Sequence, residues 1–393
     1  MKIQKSKSIS LYNIILILLV VMNEITTIYV FSNIPELDRA INFLQLFLYI
    51  GLIYIVIKKK YTLKKLLLFC IIGGLLLIGY ISSGQAAFFK GFLLIIAASN
   101  VPYKKILRTC RMATMFIVIL SILLWLMGIS DSGIGRRDAI AIGFVHPNVA
   151  AQMIMLVCLL WASEMSEKIK YRDYFVIELV GVLIFFITDS RTSTIVVVLL
   201  PFLLEFNKRI LKYRQVGKIP AFLLTYSQLL ITIFAYVTAR FLEDNSFFQS
   251  LNLILSSRLF LNYYVLNQYG VKLFGQNVTL QDYSGKIYNN IQNLYNWNIT
   301  CDCSYMFSLI VMGLIPTIIV LIGFIILMRK AIKNKNYMVI SIAVVLAMYA
   351  FTESQMLEVY RNFVYFYILA LDQNEGIRKT LHWKEKVEIQ KKH

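Results

Sequence analysis

The residues of this chain best suited to chemistry are arginines set beside hydroxyl, histidine and proline side chains. Arg136 and Arg137 lead into GIGRRDAIAIGFVHPN, which closes on His146, Pro147 and Asn148. Arg191 sits in the polar elbow TDSRTS, between Ser190 and Thr192. Arg258 lies in a long connection, and Arg361 within the last apolar stretch. A guanidinium is a planar, permanently charged fork that matches phosphate oxygens. Pro147 suits the first position of a helix, and Ser190, Thr192 and Ser193 suit the cap of another. A helix N-terminus presents unpaired amides and the positive end of its dipole to an anion. Taken as a set, these residues point to a phosphate-bearing ligand. Taken singly, each arginine could instead snorkel to a membrane interface or pair with Asp138, Asp189 or Glu358.

A second group of residues could move a proton. His146, Glu353 and Asp302, in that order, are candidates for a base that takes a proton from a hydroxyl, with Glu243 and Asp244 as further acids on the same side. His146 could equally be a plain helix cap. Lys90, in GQAAFFKGFLL, is a secondary cation for the anion site. Glu24 and Glu178 are embedded in apolar sequence, where structural pairing inside a bundle is the expectation. The metal signals are poor. There is no Asp-x-Asp, Glu36-Leu-Asp38 is the nearest paired-carboxylate motif, and Cys301 and Cys303 lack zinc-ligand spacing. Guanidinium rather than a metal ion is therefore expected to neutralise leaving-group charge, with no metal and no cofactor.

The elements that must position these groups are membrane spans. The chain is 59% hydrophobic and 16% charged, against about 25% charge in a soluble domain. Soluble and disordered classes are excluded, and a lipid bilayer is the implied surrounding. Twelve apolar segments are predicted as spans, at 9–31, 41–57, 65–82, 84–99, 109–129, 146–163, 175–189, 193–206, 220–239, 304–328, 337–352 and 356–371, the fourth and eighth of them short. The net charge of +19 does not signal nucleic acid, because most of it lies in short loops. With the N-terminus cytoplasmic, only Arg39, Lys90, Arg136, Arg137, Arg191, Arg240, Arg258, Lys272, Lys286 and Arg361 of the 40 Lys+Arg fall outside. Both termini are then cytoplasmic. The whole of 1–393 reads as one integral membrane domain, with a long outer loop at 240–303 and a cytoplasmic tail at 373–393. The first span reads as a retained span rather than a cleaved signal. In the long loop, Leu251, Ile254, Leu255, Leu259, Phe260, Tyr263, Tyr264 and Leu266 predict an amphipathic helix on the membrane surface.

Four stretches, in this order and topology, make the chain resemble the Wzy-type polysaccharide polymerases, the O-antigen and capsule repeat-unit polymerases of bacteria. RRDAIAIGFVHPNVAAQ resembles that family's arginine-rich lead into a His-Pro-Asn helix start, and TDSRTS its Ser-Arg-Thr elbow. LSSRLFLNYYVLNQYGVKLFGQ resembles its long-loop segment, and CDCSYMFSLIVMGLIPTII its Asp-x-Ser-Tyr lead into a span. The resemblance implies an all-α, GT-C-like bundle in the bacterial cytoplasmic membrane. It implies a glycosyltransferase that joins undecaprenyl-pyrophosphate-linked oligosaccharides, serving as donor and acceptor, at the outer face. Arg191 and Arg258 would then act on the leaving pyrophosphate and His146, Glu353 or Asp302 as base. Arg136, Arg137, Lys90, Asn148, Ser190, Gly275 and Tyr305 would bind substrate. A flippase and a chain-length regulator are the implied protein partners. Two rival functions stand beside this one: a ligase that moves a finished glycan from the same lipid to another acceptor, and a non-enzymatic flippase of the lipid-linked unit.

Overall fold

The computed structural model describes residues 2–32, 34–131, 139–165, 168–213, 217–255, 257–278, 301–354 and 356–371. Among these residues the chain is helical, with only isolated bridges (Ile28 to Phe144, Pro102 to Leu371) and no strand. The first half contains α1 (Lys2–Glu24), α2 (Tyr29–Ser32), α3 (Pro35–Ile57), α4 (Leu63–Ser83), α5 (Ala87–Ala97), α6 (Tyr103–Leu126), α7 (Pro147–Met165) and α8 (Tyr171–Thr188). There follow α9 (Arg191–Tyr213), α10 (Lys218–Arg240), α11 (Ser246–Ile254), α12 (Arg258–Tyr269), α13 (Ser304–Phe307), a π turn at Ser308–Met312, α14 (Leu314–Lys333), α15 (Tyr337–Tyr349) and a 3-10 helix at Phe363–Ile368.

Six of these helices, α3, α4, α6, α7, α10 and α14, are long and apolar enough to cross a bilayer. In hydrocarbon, backbone amides and carbonyls find no water, so a helix that satisfies them internally is the form an apolar segment takes. The chain is a helical membrane protein. Helices α7 and α15 occupy the middle, buried along most of their length, with α6 and α9 packed on α7 and with α9 and α10 packed on α15. Helix α4 lies at the edge and buries only Leu76, Gly79 and Ser83.

Three sequence expectations change. The short span predicted at 193–206 belongs to the 23-residue α9, which continues through the charged stretch that seemed to end it. Glu205 and Arg209 pair one turn apart at 3.0 Å, so those charges suit a helix surface. The last apolar stretch, 356–371, is not an α-helix but a run of turns ending in the 3-10 helix. Its backbone is supported from outside. Lys330 Nζ donates to the Tyr367 and Ala370 carbonyls at 2.9 and 3.0 Å, and Leu371 bonds to Val101 and Tyr103. Irregular backbone is tolerated at such depth when protein surrounds it. The amphipathic helix of the long loop is two helices, α11 and α12. Ser257 breaks it with φ +64, while the Asn252 side chain accepts from the Phe260 amide at 3.0 Å. Residues 279–300 of that loop and the tail 373–393 lie outside the described residues.

The bundle has two polar ends. At one, Lys59 Nζ donates to the Ala97 and Ser99 carbonyls at 2.6 Å each, and Arg108 and Arg111 share Glu164 at 2.7 and 2.9 Å. At the other, the first turns of α7, α9, α12 and α13 meet the chain that leaves α15.

Candidate active site

The lead into α7 is built before its histidine is placed. Ser121 Oγ donates to the Ile142 carbonyl at 2.8 Å, Ser130 Oγ to the Gly143 carbonyl at 2.9 Å, and the Val145 amide to the Thr27 carbonyl at 2.9 Å. Gly143 has φ +80, and a Cβ there would sit 2.5 Å from the Ser121 carbonyl oxygen, so only glycine fits. The segment delivers His146 to the start of α7, where its Nδ1 accepts the Asn148 amide at 3.1 Å. The expected capping role is therefore present. Nδ1 cannot at the same time take a proton from substrate. Burial, and then the charge of Arg258, hold the His146 pKa below its ordinary value, so the ring is neutral at neutral pH with its proton on Nε2. The capping contact therefore engages one of the two ring nitrogens and leaves Nε2 as the other polar atom of the ring.

Arg258, the first residue of α12, organises the rest. Its NH1 donates to Glu353 Oε1 at 2.8 Å and to the Thr352 carbonyl, and its Nε lies 3.8 Å from Asp302 Oδ2. Glu353 Oε1 also accepts from Thr192 Oγ1, on the first turn of α9, at 3.0 Å. Ser304 Oγ holds the loop beneath, donating to the Glu353 carbonyl at 2.5 Å and accepting from the Met356 amide at 2.9 Å. Ser304 stood in the Asp-x-Ser-Tyr stretch of the sequence, but it was not among the candidate site residues. Ser190, buried, donates to Ser193 at 3.3 Å, and Ser193 shares a hydrogen bond with Tyr349 OH at 2.9 Å. Four of the candidates, Arg258, Asp302, Glu353 and His146, thus converge, with Ser190 on the adjoining turn and the backbone amide of Asn148 engaged by His146.

Burial raises the Glu353 pKa, Arg258 opposes that, and Asp302 adds to it; the net direction is upward. A carboxyl raised in this way, beside a cation, is a candidate for proton transfer. Arg191 is exposed at the first turn of α9, where a cation faces the positive end of the dipole. It makes no ion pair among the described residues, so its charge is presented outward. Arg136 and Arg137 fall within 132–138, outside the described residues. Among the described residues, no group of three or more His, Cys, Asp or Glu side chains comes together in a way that could hold a metal ion.

Other candidates go elsewhere. Tyr305 is fully buried and donates to the Ala347 carbonyl at 2.7 Å, a packing role rather than the expected substrate contact. Gly275 also serves packing. At φ +81 its Cα approaches the π turn so closely that a Cβ would lie 2.2 Å from the Val311 carbonyl oxygen, and the Gln276 amide bonds to that same oxygen at 3.0 Å. Gly275→Ala is expected to destabilise the protein by roughly 2 kcal/mol or more, from a strained φ and a backbone clash. Thermal unfolding in detergent measures this.

Lys90 joins a separate network. Its Nζ donates to Gln45 Oε1 at 3.0 Å and lies 5.4 Å from the Tyr49 ring centre, and it feels the charge of Glu358. Arg361 belongs to the same region and forms a fork with Glu24 at 2.9 and 3.1 Å, while Tyr360 OH donates to Glu358. The pairing expected for Glu24 is present, and Arg361 does not reach outward as an anion ligand. Glu24 is 2% exposed, so Arg361→Leu leaves a buried carboxylate without its cation. The expected cost is about 3–5 kcal/mol, most of it recovered in the double replacement with Glu24→Leu. Denaturant titration of the two single variants and the double variant tests this.

Comparison of the chain with protein-family models, with curated proteins and with solved structures finds no match.

Proposed function

We propose that this chain is a membrane glycosyltransferase that polymerises undecaprenyl-pyrophosphate-linked oligosaccharide repeat units at the outer face of a bacterial cytoplasmic membrane. The observation that carries the reading is Arg258 held between Glu353 and Asp302, with His146 near it, at the end of the bundle where α7 and α9 begin. The twelve-crossing, GT-C-like topology with both termini cytoplasmic is part of the same proposal. It puts Lys59, Arg108 and Lys330 inside and the Arg258 cluster outside, in accord with the positive-inside bias.

The chemistry follows from the groups. The ionised Glu353 takes the proton of an acceptor sugar hydroxyl, and the oxygen attacks the anomeric carbon of the donor. The bond from that carbon to the pyrophosphate oxygen breaks, and undecaprenyl pyrophosphate leaves with the electron pair. Arg258 neutralises the charge that develops on it, Arg191 adds a second cation, and His146 Nε2–H donates to an oxygen. Arg258 without ligand is occupied by Glu353. An arriving pyrophosphate competes for the guanidinium and releases the carboxylate to act as base.

The test is reaction of purified protein with lipid-linked repeat units in EDTA. A ladder of longer lipid-linked glycans is expected, undiminished by the chelator. No ladder, together with movement of the lipid-linked unit across vesicles, would favour the flippase alternative. Transfer only to a foreign acceptor would favour the ligase. Loss of the ladder in EDTA, restored by a divalent cation, would overturn the guanidinium mechanism.

A further inference from the structure

Glu178 does not pair inside the bundle as expected. It is exposed on α8 and makes no ion pair or hydrogen bond among the described residues. Helix α8 carries two seams. Tyr174, Ile177, Gly181, Ile184 and Thr188 are buried at steps of three and four, and Gly181 is small enough to admit Val197 and Val198 of α9. On the flank of that seam, about 100° round the helix axis, Tyr171, Phe175, Glu178, Val182 and Phe185 follow at steps of four, three, four and three, all exposed. That alternation is the repeat by which one helix meshes with another at a shallow crossing angle.

Four of those five positions are apolar or aromatic. Glu178 stands seven residues from Tyr171, about 10 Å along the axis at 1.5 Å per residue. This inference rests on the proposed topology, in which α8 crosses the bilayer and that depth is hydrocarbon. Lipid offers a carboxylate no partner, and intramembrane ionisable groups sit where another group answers them. Within α8 the positions one turn away are Tyr174, Phe175, Gly181 and Val182, none of them cationic. A two-fold copy of the chain would set Glu178 against Glu178, like against like.

We propose that the outward seam of α8 docks a transmembrane helix of a different protein, carrying a lysine or arginine opposite Glu178. The seam supplies the packing and the ion pair supplies depth and register.

The test uses the full chain, labelled with a fluorescence donor and reconstituted in phosphatidylcholine vesicles. The probe is an acceptor-labelled polyleucine transmembrane peptide with one lysine a third of the way along, beside the same peptide with leucine there. The lysine peptide is expected to associate about tenfold more tightly, a preference that Glu178→Leu removes and Glu178→Gln reduces. Equal association of both peptides, or a preference that survives Glu178→Leu, overturns the proposal. So does a wild-type homodimer that Glu178→Leu dissociates without peptide, since the occupant is then a second copy. Single cysteines at Tyr171→Cys and Arg191→Cys, labelled from either side of the vesicle, test the topology separately. Labelling of both from one side removes the topology, and the docking proposal with it.

Discussion

Arg258→Ala is expected to remove the glycan ladder, with a loss of about a hundredfold to a thousandfold in turnover. Removing one preorganised donor aimed at developing negative charge has an effect of that size. Arg258 also ties Glu353, the Thr352 carbonyl and Asp302 together, so its removal leaves a largely buried carboxyl without a cation. Loss of activity alone would therefore not separate chemistry from folding. Two further measurements do. Arg258→Lys keeps the charge but loses the planar fork, and is expected to fold like wild type while retaining only a small part of the activity. Binding of inorganic pyrophosphate, followed by calorimetry, is expected to weaken in Arg258→Lys and Arg258→Ala. A fully active Arg258→Ala variant would end the proposal that this guanidinium serves the leaving group.

Glu353→Gln should be the second large loss, about a hundredfold to ten-thousandfold, because the amide keeps the shape and an acceptor oxygen but cannot take the proton. The pH profile identifies the role. A base works in its ionised form, so the wild-type rate should rise with pH through the Glu353 pKa, which burial places above the ordinary carboxylate range. Asp302→Asn removes a neighbouring negative charge that raises that pKa, so the rising limb should move to lower pH. Residual activity in Arg258→Lys should keep the limb near its wild-type position, since the positive charge remains. A profile unchanged by Asp302→Asn, or a Glu353→Gln variant with wild-type turnover, would transfer the role of base to another group.

Much of this protein can be read from local properties of its chain. Hydropathy over some twenty residues determines that α3, α4, α6, α7, α10 and α14 are membrane helices, because the bilayer acts on each segment separately. The His146-Pro147 helix start and the elbow that opens α9 are likewise local, set by proline, by hydroxyl groups and by the αL residue Asp189. Residue type and expected side also selected Arg258, Asp302, Glu353 and His146, as a cation and possible proton acceptors at the outer face, where the positive-inside bias makes an arginine uncommon.

The tertiary structure alone decided how these groups are partnered. Arg258 and Glu353 are 95 residues apart, Thr192 and Glu353 161, and Glu24 and Arg361 337. Such pairings depend on which helix faces mesh, and that is fixed by side-chain shape across the whole bundle rather than by any window of sequence. For the same reason Lys90 and Arg361 entered a second network, Tyr305 and Gly275 went to packing, and Glu178 faced outward. By residue type alone His146 could be a base or a helix cap. The structure commits its Nδ1 to the Asn148 amide, a matter of geometry within one turn that composition does not encode.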